Sequence, residues 1–118
     1  MTTNLSSVSF EQGLHHCDDV QPLYCEVLRC YLEEFSPLLD ESSLLADDDE
    51  AKIKLHTLKS LTATVGAYEF SEFIGQLFKK WPKLSETEKR QEVRQVNYFL
   101  FEVNQKVQHY CNENTPTD

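Results

Sequence analysis

Apolar residues recur along this chain at three- and four-residue steps, the spacing of an amphipathic helix, in five stretches. A short first helix is predicted from Ser9, where Ser9-Phe10-Glu11-Gln12 has the form of a capping box, with Phe10 and Leu14 on one face. A second opens at Asp18 or Asp19 with Pro22 in its first turn, where a missing N–H costs little. Its stripe is Tyr24, Leu28, Tyr31, Phe35 and Leu38, and Pro37 bends or loosens its end by deleting a ladder bond. The acidic run Asp47-Asp48-Asp49-Glu50 suits the positive end of a third helix, which runs to about Val65 and stops at Gly66. A fourth carries Phe70, Phe73, Leu77 and Trp81 and ends at Pro82. The fifth starts at a second capping box, Ser85-Glu86-Thr87-Glu88, and keeps Val93, Val96, Leu100, Val103, Val107 and Tyr110 on one face. Stripes this regular fit antiparallel packing at a shallow angle. The expected fold is all-α: an antiparallel four-helix bundle with a short additional N-terminal helix.

Composition narrows this further. A chain of 118 residues holds one core, expected to be ordered over about residues 5–112. Three Gly and four Pro are too few for a turn-rich β-sandwich or barrel. Eleven basic against 20 acidic side chains leave a net charge of −9, which argues against a phosphate-backbone ligand. Apolar runs such as Tyr98-Phe99-Leu100-Phe101 fall far short of the ~20 residues a membrane span needs. The first residues lack the basic flank and apolar core of a secretory signal. Cys17, Cys25, Cys30 and Cys111 form no CxxC pair, so reduced thiols in a cytoplasmic protein are expected.

The chemistry lies between Leu55 and Ala67. At about 100° per residue, Lys52, Lys59, Ser60 and Ala63 all fall within about 60° of His56 on a helical wheel. Leu58, Leu61, Thr62 and Val65 fall on the far side. Lys54 is the misfit on the apolar side: either it snorkels or the helix starts later. An imidazole framed by small side chains and two ammoniums has room above its ring and a cation for the oxygens of an attached phosphoryl group. The plain alternative is an ordinary surface histidine on a solvated face.

This segment resembles the histidine-containing phosphotransfer (HPt) domain, whose signature is His-x-x-Lys-Gly, small residues, and a Gly some ten positions after the His. The matching residues are His56, Lys59, Ala63, Gly66 and Ala67, with Leu58 between the two functional positions. Gly13-Leu14, Leu23-Tyr24 and the Leu28–Leu39 segment are similar to the family's N-terminal half, so the likeness spans about residues 5 to 112. Two positions depart from the pattern: Ser60 stands where the family has Gly, and Phe78 where it often has Gln or Glu near the His. Gln76 lies about 200° of helix rotation from that position and does not substitute for it.

The resemblance implies a phosphocarrier rather than an enzyme. His56 takes a phosphoryl group from the aspartate of a response-regulator receiver domain and passes it to another, Nε2 being the attacking atom. A histidine with an unperturbed pKa near ~6.5 is largely neutral, hence nucleophilic, at cellular pH. Lys59 stabilises phosphohistidine, Lys52 contributes from further away, and the Ser60 hydroxyl is a donor to phosphoryl oxygen. Ala63 and Gly66 keep the surface open, and the candidate docking residues are Leu14, with Phe10, on the first helix and residues near the start of the second. The receiver supplies Mg²⁺, and no cofactor is expected on this chain. Partners implied are receiver domains or a hybrid histidine kinase, with no nucleic acid and no membrane, for a stand-alone monomeric shuttle. Two rivals remain: a metal site built on His15-His16-Cys17 with Cys25, Cys30 or Cys111, and a helical adaptor that binds signalling proteins without carrying phosphate.

Overall fold

Side-chain caps set most of the helix starts. In the computed structural model, which describes residues 4–114, six α-helices and one 3₁₀ turn make up the secondary structure, with no strand among the described residues. Helix α1 spans Phe10–His16, and half of the expected capping box forms: the Ser9 hydroxyl accepts from Gln12 N at 3.3 Å, while Ser9 N donates to Gly66 O at 2.9 Å rather than to the Gln12 side chain. Helix α2 spans Gln21–Phe35. It begins later than Asp18 or Asp19 because both aspartates occupy left-handed backbone (φ 55° and 59°) in the turn from α1. Asp tolerates that region better than most residues.

Pro37 ends α2 rather than bending it. The last helical residue is Phe35, and Leu38 lies in the turn with φ 67°, half-buried rather than on the helix stripe. A proline at that point cannot donate to the ladder. Two asparagines of the last helix take over the freed groups. Asn104 Nδ2 donates to Phe35 O at 2.9 Å, and Asn97 bonds Leu39 through both its amide atoms, at 2.9 and 3.0 Å. A further short helix follows that the apolar pattern does not predict: α3, Glu41–Ala46, capped by the Asp40 carboxylate and pinned by the buried Leu44.

Helix α4 spans Asp48–Val65, starting in the acidic run and ending at Gly66 as expected. Asp47 accepts from Asp49 N and Glu50 N, and Gly66 closes the helix in a left-handed conformation (φ 107°). A side chain at Gly66 would be strained by that φ and would also meet the Ser9 carbonyl oxygen. Helix α5 spans Tyr68–Lys80 and runs into the 3₁₀ turn Trp81–Lys83. Helix α6, Glu86–Asn114, opens on a reciprocal capping box: Glu88 N donates to Ser85 Oγ at 3.1 Å and Ser85 N to Glu88 Oε1 at 2.8 Å.

The core follows the periodic stripes. Tyr24, Leu28, Tyr31 and Phe35 of α2 and Val93, Val96, Leu100, Val103 and Val107 of α6 are all fully buried, and α2 lies along α6. Tyr110 is half-buried instead, stacked on Phe10 with ring centroids 4.3 Å apart. Lys54 snorkels: its ammonium pairs with Glu34 at 3.2 Å and sits 5.7 Å above the Phe35 ring. The most extensive packing joins α4 to α5, the hairpin that carries the site. No helix among the described residues is long and apolar enough to cross a membrane.

Candidate functional site

Helix α4 divides sharply into an inward and an outward face. Leu55, Leu58, Thr62 and Val65 are fully buried, whereas His56, Lys59 and Ser60 are exposed and Lys52 and Ala63 are half-buried. The wheel reading of this segment therefore holds in space. Gly66 ends the helix about 15 Å along its axis from His56, at 1.5 Å per residue. It shapes the end of the hairpin and does not adjoin the ring.

The backbone around Lys59 is held from two sides. Thr62 Oγ1 donates to Leu58 O at 2.7 Å and to Lys59 O at 3.0 Å, and Ser71 Oγ of α5 donates to Lys59 O at 2.8 Å. The exposed face of α4 is thereby fixed against its neighbour.

His56 itself rests against α5. Its ring lies 5.9 Å from the Phe78 ring, centroid to centroid, at an interplanar angle of 50°. Lys52, Ile53, His56, Thr57 and Phe78 line a surface depression at this point. Among the described residues neither imidazole nitrogen makes a hydrogen bond, so the ring is placed by contact with Phe78 and both nitrogens stay open. Phe78 thus stands beside the imidazole and offers it an apolar ring instead of a hydrogen-bonding group. Gln76 is exposed in a different depression, beside Leu5, Glu69, Glu72 and Phe73.

Neither ammonium on the ring's face is held in an ion pair among the described residues. Among the described residues neither Lys52 nor Lys59 has a carboxylate within ion-pair distance, whereas Lys54, Lys80 and Lys89 each have one. An ammonium without a fixed counter-ion is free to meet an incoming anion. The Ser60 hydroxyl is likewise without a partner among the described residues, though its backbone carbonyl accepts from Thr64 Oγ1 at 2.9 Å. This face of α4 therefore carries an exposed imidazole, two ammoniums without an ion pair among the described residues, and a hydroxyl without a hydrogen-bond partner among them.

Leu14 is placed elsewhere. Helix α1 packs against the Val65–Gly66 end of α4, and Leu14 and Phe10 are half-buried against the core there. The apolar surface beside the imidazole comes from Ile53, which is 67% exposed, and from Phe78. Ile53 was findable in the sequence: it lies about 60° from His56 on the wheel, an aliphatic residue on an otherwise polar face. The residues of the metal alternative have other engagements. His15 lies 3.7 Å from Asp19, His16 Nε2 bonds the Tyr68 hydroxyl at 3.1 Å, and Cys17, Cys25 and Cys111 are buried. No group of three His, Cys, Asp or Glu suited to hold a metal occurs among the described residues.

Compared with protein-family models, with curated proteins and with solved structures, the chain matches none.

Proposed function

We propose that this chain is a phosphohistidine carrier of a two-component phosphorelay, an HPt-like antiparallel four-helix bundle with a short N-terminal helix. The observation that carries this reading is an exposed His56 whose two ring nitrogens are open, on one helix face with two ammoniums that have no carboxylate partner among the described residues. The reaction is a displacement at phosphorus. The imidazole Nε2 lone pair bonds to phosphorus, the bond from phosphorus to the receiver's aspartyl oxygen breaks, and the carboxylate leaves with the electron pair. The proton on the other ring nitrogen stays there. Lys59 supplies positive charge to the phosphoryl oxygens, Ser60 a hydroxyl donor, and Lys52 a longer-range attraction. The Mg²⁺ that serves the aspartyl phosphate belongs to the receiver domain. Ile53 and Phe78 give the docking partner apolar surface next to the reacting atom. Receiver domains and hybrid kinases are the proposed partners, and the cytoplasm the proposed setting.

A second reading, an adaptor that binds receivers without taking phosphate, is favoured by one observation. Phe78 offers the imidazole no hydrogen bond to fix its tautomer. Incubation with a phosphorylated receiver separates the two. A carrier takes up an acid-labile, base-stable label that is absent from His56→Gln. If wild type binds several receivers yet stays unlabelled, the adaptor reading replaces the carrier.

A further inference from the structure

Helices α4 and α5 meet in a register that pairs two functional positions of α4 with two positions of α5. His56 touches Phe78, and three residues on, Lys59 lies over Gly75, three residues before Phe78. Gly75 is buried in the interior of α5, where glycine lowers helix stability by roughly 1 kcal/mol relative to alanine. Its φ is not left-handed, so no turn requires it. A methyl group there would stand 2.8 Å from Lys59 Cε and 3.3 Å from Lys59 Cδ. No other side chain and no backbone atom of α4 is among its nearest neighbours. The missing side chain therefore makes room for the lysine stem, not for close approach of the two helices.

That stem starts from a fixed backbone, since Ser71 and Thr62 both hold the Lys59 carbonyl. Side chains on a helix lean toward its N-terminus, so the Lys59 stem, with its root fixed and its end laid across Gly75, leans toward the turn of α4 that carries His56. We propose that Gly75 is a positioning residue: its bare Cα forms the track that directs the Lys59 ammonium toward a phosphoryl group on His56. The proposal rests on the carrier reading above. A methyl at Gly75 does not break α5, and the flexible lysine is the element that yields, so the substitution moves the cation without removing it.

The test is a cycle of Gly75→Ala, Lys59→Ala and the double variant, read by the rate of label transfer from a phosphorylated receiver and by phosphohistidine lifetime. Loss of a charge-assisted contact makes Lys59→Ala about 10-fold or more slower. Gly75→Ala is expected to slow transfer about 3- to 10-fold while its melting temperature equals or exceeds that of wild type, because alanine is the better helix former. In the Lys59→Ala background the Gly75→Ala change has no further effect, since nothing is left to misplace. A second measurement reads the placement itself: with lysines dimethylated using ¹³C-formaldehyde, the Lys59 methyl resonance shifts in Gly75→Ala and the Lys83 resonance does not. Labelled wild type with Gly75→Ala transferring at the wild-type rate overturns the positioning role and leaves the carrier standing. So does a Gly75→Ala effect that persists undiminished without Lys59, or an unmoved Lys59 resonance. Wild type that never takes up label overturns the carrier reading and this role together.

Discussion

Two tyrosines on one helix show how a single polar atom decides the worth of a residue. Tyr24 and Tyr31 are both fully buried in α2, and burial pushes both phenols well above the ordinary tyrosine range, so each keeps its proton. Tyr24 uses that proton: its hydroxyl donates to Val65 O at 2.6 Å, satisfying a carbonyl at the end of α4. The Tyr31 hydroxyl has no partner among the described residues. Tyr24→Phe strands a buried carbonyl and should cost about 1–3 kcal/mol. Tyr31→Phe removes an unpaired buried polar group and should be neutral or stabilising, within roughly 0.5 kcal/mol of wild type or better. Urea unfolding of the two variants side by side checks this. Equal losses would mean that the hydrogen bond to Val65 contributes nothing.

Among the elements, α4 matters most, because its two ends fix where His56 and Lys59 stand. Its start is tied to the turn before α6. The Trp81 indole donates to Asp48 Oδ1 at 3.3 Å, and the Lys89 ammonium reaches the same oxygen at 3.1 Å. The hydrogen bond from Lys89, then that from Trp81, lowers the Asp48 carboxyl below its usual range. A carboxyl depressed in the folded state stabilises the fold above its unfolded pKa, about 3.9, and loses that contribution as pH falls through the folded value. Asp48→Asn should therefore be less stable than wild type at neutral pH, with the gap closing on acidification below about pH 4. Denaturation midpoints across that range measure it, and a gap that stays constant would remove the ionic contribution.

The same element shows which features were legible in the sequence. Asp47 and Gly66 act through atoms two to four residues away, so the ends of α4 could be read from local chemistry alone. The valine and leucine stripe of α6 was legible because a long helix repeats its signal. Helix α3 was not, since six residues with one buried leucine are too few for a period. The end of α2 also depends on residues far away in the chain, because Asn97 and Asn104 complete it. For the site, the exposed face of His56, Lys59 and Ser60 followed from spacing. The contacts of Gly75 and Phe78 did not, because they arise from the register between two helices.

At the scale of the molecule, the site is a local cationic spot on an acidic protein. The chain carries −9 overall, yet Lys52 lines the depression at His56 and Lys59 lies on the same exposed face of α4. Long-range attraction to nucleic acid is disfavoured by the first fact, and the second is the local charge on which the proposed carrier role draws. Ile53 and Phe78 place apolar surface in the same depression as the open imidazole, where the proposed receiver would dock. The most direct measurement observes the bond itself. Protein carrying ¹⁵N-labelled histidine is incubated with a phosphorylated receiver and followed by ³¹P and ¹⁵N NMR. The account predicts a phosphorus resonance coupled to one ring nitrogen of His56 and to no other histidine. Phosphorus bonded to His15, His16 or His109 instead, or to no imidazole while the receiver visibly binds, would contradict it.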